Sequence, residues 1–117
     1  MEKLTYSKFL SAIKRIDKQI KNLSIKSIYG IPRGGYVPAV YLSHLSGLRI
    51  VPRPGKKTLI IDDICDSGWT LYNYQAIGYK TACIYYKKNN VCEPDIWVYE
   101  KKDDWILFPW ETKESTQ

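Results

Sequence analysis

The sequence predicts an α/β domain, a mainly parallel twisted sheet flanked by helices. Three observations predict it. Helix-spaced and strand-like apolar segments alternate along the chain, as in consecutive βαβ units. The run Thr58-Leu59-Ile60-Ile61 is continuously apolar, which suits a strand covered on both faces. The 117 residues, 44% hydrophobic and 26% charged, fit one domain with a real core and exclude a largely disordered chain.

The first element is a helix over residues 4–23. Phe9, Ile13, Ile16 and Ile20 recur at steps of three and four, with Lys14, Lys18 and Lys21 mostly on the other side. Ser24 to Tyr29 reads as a strand bounded by Gly30, and residues 30–35 as a turn. A helix from Tyr36 to Ser46 should close at Gly47, a residue suited to a C-cap. Leu48 to Val51 is a short strand, and Pro52-Arg53-Pro54-Gly55 a loop. The strand at Thr58–Ile61 ends at the acidic pair Asp62-Asp63. A turn at 66–68 and a helix from Trp69 to Ile77 follow, ending at Gly78. Thr81–Tyr86, Ile96–Tyr99 and Trp105–Phe108 are further strand pieces. The polar tail from Thr112 to Gln117 is expected to fray.

Composition narrows the function. The net charge of +6 favours anionic ligands in general. A nucleic-acid module is one reading of that charge and the ten tyrosines, but the basic residues are spread out and no recognised motif is present. Neither nucleic acid nor membrane is therefore an expected partner. No apolar run approaches the roughly 20 residues that span a bilayer, and Met1–Leu10 carries no signal-like core. Cys65, Cys83 and Cys92 lack a C-x-x-C spacing and His44 is alone of its kind, which argues against a closed zinc site. A reducing cytoplasm is the expected compartment.

Ligands of parallel sheets sit beyond the carboxyl ends of the strands, and two loops there have unusual chemistry. In Ile60-Ile61-Asp62-Asp63-Ile64-Cys65-Asp66-Ser67-Gly68-Trp69-Thr70 a buried strand delivers two adjacent carboxylates. The loop that follows opens a helix, whose amino end attracts anions, and Ser67 and Thr70 add hydroxyl donors. The acids would repel a phosphate, but they suit sugar hydroxyls or a metal ion nearby. Together these features describe a sugar-phosphate site. In Gly30-Ile31-Pro32-Arg33-Gly34-Gly35 the glycines permit close backbone approach and positive φ, and Arg33 offers a planar fork to phosphate oxygens.

The segment at 60–70 resembles the phosphoribosylpyrophosphate-binding signature of the type I phosphoribosyltransferases. Residues 30–35 resemble their pyrophosphate loop in the Arg-Gly-Gly form. Asp104-Trp105-Ile106-Leu107-Phe108-Pro109-Trp110-Glu111 resembles the hood of xanthine-guanine and hypoxanthine enzymes. The likeness covers residues from about 25 to 111. It implies one phosphoribosyltransferase-like domain over 1–117, with a small C-terminal hood at about 88–111.

The resemblance implies a purine phosphoribosyltransferase that uses phosphoribosylpyrophosphate, a 6-oxopurine (guanine, xanthine or hypoxanthine) and Mg²⁺, and yields a nucleoside monophosphate and pyrophosphate. Asp62 and Asp63 would bind the ribose hydroxyls and meet the metal only indirectly, through ribose-bound Mg²⁺. Asp66, Ser67, Gly68, Trp69 and Thr70 would hold the 5′-phosphate. Pro32, Arg33 and Gly34 would face the pyrophosphate, with a non-proline cis peptide at Pro32-Arg33. Asp66 and Lys87 would act catalytically, at the purine N7 and O6 respectively. Trp105 would stack on the base and the backbone at Ile106 would read its 2-substituent. A homodimer or higher oligomer is implied as well.

Each of these residues also has a plain structural alternative. Asp66 can cap the next helix, Lys87 can be a solvated strand-end lysine, Arg33 a surface residue, and Trp105 and Trp110 core aromatics. The sequence departs from the family in two places. The long mobile loop expected before the acidic strand is truncated to Pro52–Lys57, six residues with two prolines, from which Arg53, Lys56 and Lys57 offer some charge. Trp69 stands where the family often has Gly or a polar residue, so its ring must point away from the phosphate. The truncation leaves open an alternative, a non-catalytic or weakly active nucleotide-binding or regulatory protein on the same fold.

Overall fold

The computed structural model describes residues 1–102 and 105–112. Among these the elements run β1 (Glu2–Lys3), α1 (Tyr6–Ile20), β2 (Ser27–Gly30), α2 (Tyr36–Ser46), β3 (Arg49–Ile50), β4 (Thr58–Cys65), α3 (Trp69–Ala76), β5 (Lys80–Tyr86), β6 (Ile96–Glu100) and β7 (Ile106–Leu107). Five strands form one sheet in the order β3-β2-β4-β5-β6, with every neighbouring pair parallel. This is the expected α/β class.

Local sequence explains the helix ends. Thr5 caps α1 by accepting the Lys8 amide at 3.2 Å. Gly47 closes α2 at φ 79°, a left-handed conformation that side chains resist. Phe9, Ile13, Ile16 and Ile20 bury the apolar stripe of α1. One core lies under α1 and α2, around Ile28, Leu59, Ile61 and Ile84. A smaller one, with Ile60, Cys65, Leu71 and Cys83, lies on the opposite face under α3. Residues 58–61 are therefore buried on both sides, as their unbroken apolarity implies.

Three differences from the sequence reading matter for the site. First, β4 does not stop at Ile61. It continues to Cys65 because β5 still offers a ladder there, pairing Asp62 with Cys83, Ile64 with Tyr85 and Cys65 with Tyr86. On its other side, β2 ends where Gly30 pairs with Ile61, so a notch opens beside the acidic pair. Second, β7 is a strand of a separate two-stranded sheet, parallel to β1 at the amino end. The region 88–111 is thus divided: β6 closes one edge of the main sheet, while Ile106 and Leu107 pair with Glu2 and Lys3. The Tyr85 hydroxyl ties β1 to the main sheet by donating to Glu2 Oε2 at 2.6 Å.

Third, the connector 52–57 starts at Pro52, which lines a hollow with Gly30 and Pro32, and ends away from the sheet's carboxyl edge. The Lys57 carbonyl accepts the Lys26 amide at 2.8 Å, at the starting ends of β2 and β4. The Thr58 hydroxyl pins the turn, accepting the Gly55 amide at 2.9 Å and meeting Ser27 Oγ at 2.7 Å. Thr58, four residues before Asp62, lies roughly 13 Å from it along the strand. The charge anticipated from Lys56 and Lys57 is therefore at the wrong end of β4 to serve the acidic pair.

Candidate active site

The site is built where β2 and β4 end. Residues 31–35 fold back against β4, with the Ile31 amide donating to the Ile61 carbonyl at 2.9 Å. The Pro32-Arg33 peptide is cis, as the resemblance implied. The glycines of this turn do not have positive φ; Gly47, Gly68 and Gly78 are the glycines that do. Close packing is what requires them. A Cβ on Gly34 would collide with the Asp63 carboxylate, and one on Gly35 with the Ile61 carbonyl and the Ile31 amide. Backbone cannot move aside as a side chain can, so Gly35→Ala should destabilise the fold by about 1–3 kcal/mol. Chemical denaturation would measure this, and an unchanged midpoint would contradict the packing.

Asp62 and Asp63 are both half-buried. Each is oriented by the next amide: Asp62 Oδ1 accepts from Asp63 N at 2.8 Å, and Asp63 Oδ1 from Ile64 N at 2.7 Å. Burial, and then the negative charge of Asp63, push the Asp62 carboxyl up to about 9. One of the two neighbouring acids therefore holds a proton at neutral pH. Asp62 is not sealed in the core. With Ile64, Cys65, Asp66, Ser67, Gly68 and Thr70 it lines a hollow of about 210 Å³.

Beyond β4 the loop 66–68 leads into α3. The helix is capped by Gly68 at φ 87°, without a side-chain hydrogen bond. Asp66 is thus not the cap, which removes its plain structural alternative. The Trp69 indole is exposed and packs edge-on against Tyr72, with ring centroids 5.8 Å apart, so it does not block the hollow. Asn90 braces the loop from the turn after β5. Its Nδ2 donates to Lys87 O at 2.7 Å and Asp66 O at 3.1 Å, and its Oδ1 accepts Cys92 N at 2.9 Å. A Cβ on Gly68 would come within 2.8 Å of that Oδ1.

The Asp66 carboxylate faces two ammonium groups: Lys101 Nζ at 2.9 Å and Lys87 Nζ at 3.9 Å. Acid pair, Gly34 and loop 66–70 are thus brought together, with Lys87 at their margin. Arg33 and Pro32 are exposed on the turn. Ile106 is buried, while Trp105 keeps an exposed ring and gives its carbonyl to the Glu2 amide at 2.9 Å. Ile106 belongs to the two-stranded sheet and Trp105 directly precedes it; among the described residues no hydrogen bond or ring contact ties either to loops 30–35 or 62–70. Trp110 packs against Phe9 and Phe108, with centroids 4.9 and 5.1 Å apart, but it stays exposed, so it covers the edge of the core rather than lying in it. Asp104 and residues 113–117 lie outside the described residues. A larger hollow, about 490 Å³, lies on the other side of the 30–35 turn and is mostly apolar, lined by Tyr29, Tyr36, Ile50 and Pro52 among others.

Sequence reasoning missed Lys101 and Asn90. Lys101-Lys102 looks like an ordinary charged run, and Asn89-Asn90 signals a turn without saying what it holds.

A parallel sheet with paired acids and an anion-suited helix start at one strand end defines a class, the α/β domains that hold a phosphorylated sugar at the sheet's carboxyl edge. Comparison with known proteins gives the family. No family model matches the chain. A xanthine-guanine phosphoribosyltransferase of Gluconobacter oxydans is 30% identical over 121 residues, covering 79% of this chain and 72% of that protein. The solved purine phosphoribosyltransferase of Pyrococcus horikoshii matches at 29% identity and TM-score 0.80, over 94% of this chain and 93% of that one. The Helicobacter pylori xanthine-guanine-hypoxanthine enzyme shares the fold at TM-score 0.82 and 20% identity, over 98% and 96% of the two chains. The chain belongs to the type I phosphoribosyltransferase family, with curated relatives named xanthine-guanine phosphoribosyltransferase, and is an enzyme of the transferase class.

Proposed function

We propose that this chain transfers the 5-phosphoribosyl group from phosphoribosylpyrophosphate to a 6-oxopurine (guanine, xanthine or hypoxanthine). The observation that carries this reading is the notch where Asp62, Asp63 and Gly34 meet beside the Asp66–Thr70 loop. Asp62 and Asp63 bind the ribose hydroxyls. The 66–70 loop, at the start of α3, holds the 5′-phosphate. Pro32, Arg33 and Gly34 face the departing pyrophosphate. The C1–O bond breaks with its electron pair on pyrophosphate, the ring gains positive charge, and a purine nitrogen donates its lone pair to C1. The fixed Asp63 carboxylate near that charge stabilises it. Asp66 at N7 assists proton removal, worth typically 10²–10⁴-fold, Lys87 meets O6, and Trp105 and Ile106 contribute the base platform.

The residues present fit Mg²⁺. The ion usually keeps several waters and binds substrate phosphates, and the notch offers the Asp62 and Asp63 carboxyl groups to the ribose that would carry it. No larger metal-holding cluster occurs among the described residues. Asp62 and Asp63 would meet the ion indirectly, through the ribose it binds. When bound, Mg²⁺ supplies neutralisation of the pyrophosphate oxygens.

The test is to mix the protein with phosphoribosylpyrophosphate, Mg²⁺ and each 6-oxopurine and to look for nucleotide. The shortness of the 52–57 connector, whose 55–57 end is tied down at the start of β4, favours a second reading: a nucleotide-binding protein with little turnover. Tight binding of a nucleoside monophosphate with no product from any purine would select it. Under the transferase reading, Lys87→Ala should change preference among 6-oxopurines, by about tenfold. Phosphate affinity should stay near the original value. Equal losses with every base and with ribose 5-phosphate would remove Lys87 from the base site.

A further inference from the structure

We infer that Lys101 is a positioning residue for the base site: it fixes the Asp66 carboxylate and so leaves Lys87 free to meet the purine. This rests on the transferase reading above. Lys101 follows β6, and its amide donates to the Tyr86 carbonyl at 2.8 Å. The Lys87 amide in turn donates to the Cys65 carbonyl at 2.9 Å, so the ends of β4, β5 and β6 are laced together. Across this lacing the Lys101 side chain reaches back over the end of β5. Its ammonium ends 2.9 Å from Asp66 Oδ2.

The two lysines at Asp66 are unlike each other. The Lys101 side chain is 7% exposed, whereas that of Lys87 is 58% exposed. A buried ammonium is costly unless paired and hydrogen-bonded. Among the described residues, Asp66 is the acidic partner within ion-pair distance of Lys101. The contact is a short charge-assisted hydrogen bond. Lys87 approaches the other oxygen, Oδ1, only to 3.9 Å, beyond hydrogen-bond distance. Oδ2 is therefore engaged by Lys101, while Oδ1 and the Lys87 ammonium remain side by side. They form an acceptor and a donor at the margin of the phosphate loop. That pair complements adjacent donor and acceptor groups, such as N7–H and O6 of a 6-oxopurine. Without Lys101, Asp66 would be free to rotate and Lys87 would become its sole partner, which takes both groups from the base.

The test uses Lys101→Met, similar in length but uncharged, and Lys101→Arg, in the full chain. Guanosine 5′-monophosphate reports base plus ribose phosphate; ribose 5-phosphate reports the sugar site alone. Calorimetry should show Lys101→Met weakening the nucleotide about ten- to hundredfold with ribose 5-phosphate within about threefold of wild type. Lys101→Arg should recover most of the loss. In steady-state assays Lys101→Met should raise the base KM and leave that of phosphoribosylpyrophosphate near wild type. In an Asp66→Asn background, Lys101→Met should add nothing further. Equal weakening of both ligands, unchanged nucleotide affinity, or additive losses would overturn the assignment. Should the methionine variant fail to fold, Lys101→Gln replaces it in the same comparison. A wild type that binds the nucleotide but never turns over would sink the transferase reading and leave the affinity ratio to decide Lys101; a wild type that binds neither ligand would sink both.

Discussion

Replacing Asp63 by Asn should cut phosphoribosyl transfer by about 10²- to 10³-fold with the fold intact. The substitution keeps an oxygen where Asp63 Oδ1 accepts the Ile64 amide, and it keeps the shape against which Gly34 packs. What it removes is the negative charge available to the ribose hydroxyls. Each hydrogen bond to a charged group is worth roughly 1.5–3 kcal/mol, so losing its charge character at one or two bonds gives the stated range. Isothermal calorimetry with nucleoside monophosphate, alongside kcat/KM, would measure the effect. Affinity and turnover unchanged from wild type would remove the acidic pair from the ribose site.

Asp62→Asn should behave differently, because Asp62 is already protonated at neutral pH. In the unfolded chain it ionises near 3.8, whereas in the fold it keeps its proton up to about 9. Between those values the folded state binds more protons, so raising the pH favours unfolding. Below about pH 4 both states are protonated and the contribution is fully present; through about 9 it is lost. Ligand-free wild type should therefore lose stability steadily from about pH 5 to 9, and Asp62→Asn should abolish most of that slope. Denaturation midpoints for both proteins across this range would measure it. Parallel curves would show that Asp62 is not held neutral.

Elements whose ends are set locally were legible in the sequence. Gly47 closes α2 at the expected residue because a left-handed C-cap is a local choice. The doubly covered start of β4 was legible for a similar reason: burial on both faces demands unbroken apolarity. Its continuation through Asp62 and Asp63 was not, since two acids resemble a strand's end unless the partner strand is known to run on. The loop glycines were recognised as meaningful, but their role is packing against β4 rather than positive φ. The direction of the 52–57 connector and the reach of Lys101 depend on which strands are neighbours, and one chain's residue order does not encode that pairing locally. The acids and the 66–70 loop stood out because their chemistry is packed into one short stretch; Asn90 and Lys101 come from elsewhere.

The seating of Gly34 on the Asp63 carboxylate has a practical consequence for engineering. The 30–35 turn and β4 are distant in sequence but share one interface, so substitutions at their contact will not combine additively. A combinatorial library that randomises the 30–35 turn while freezing the acidic strand would discard mostly misfits. Retuning this enzyme would require both segments to be varied together.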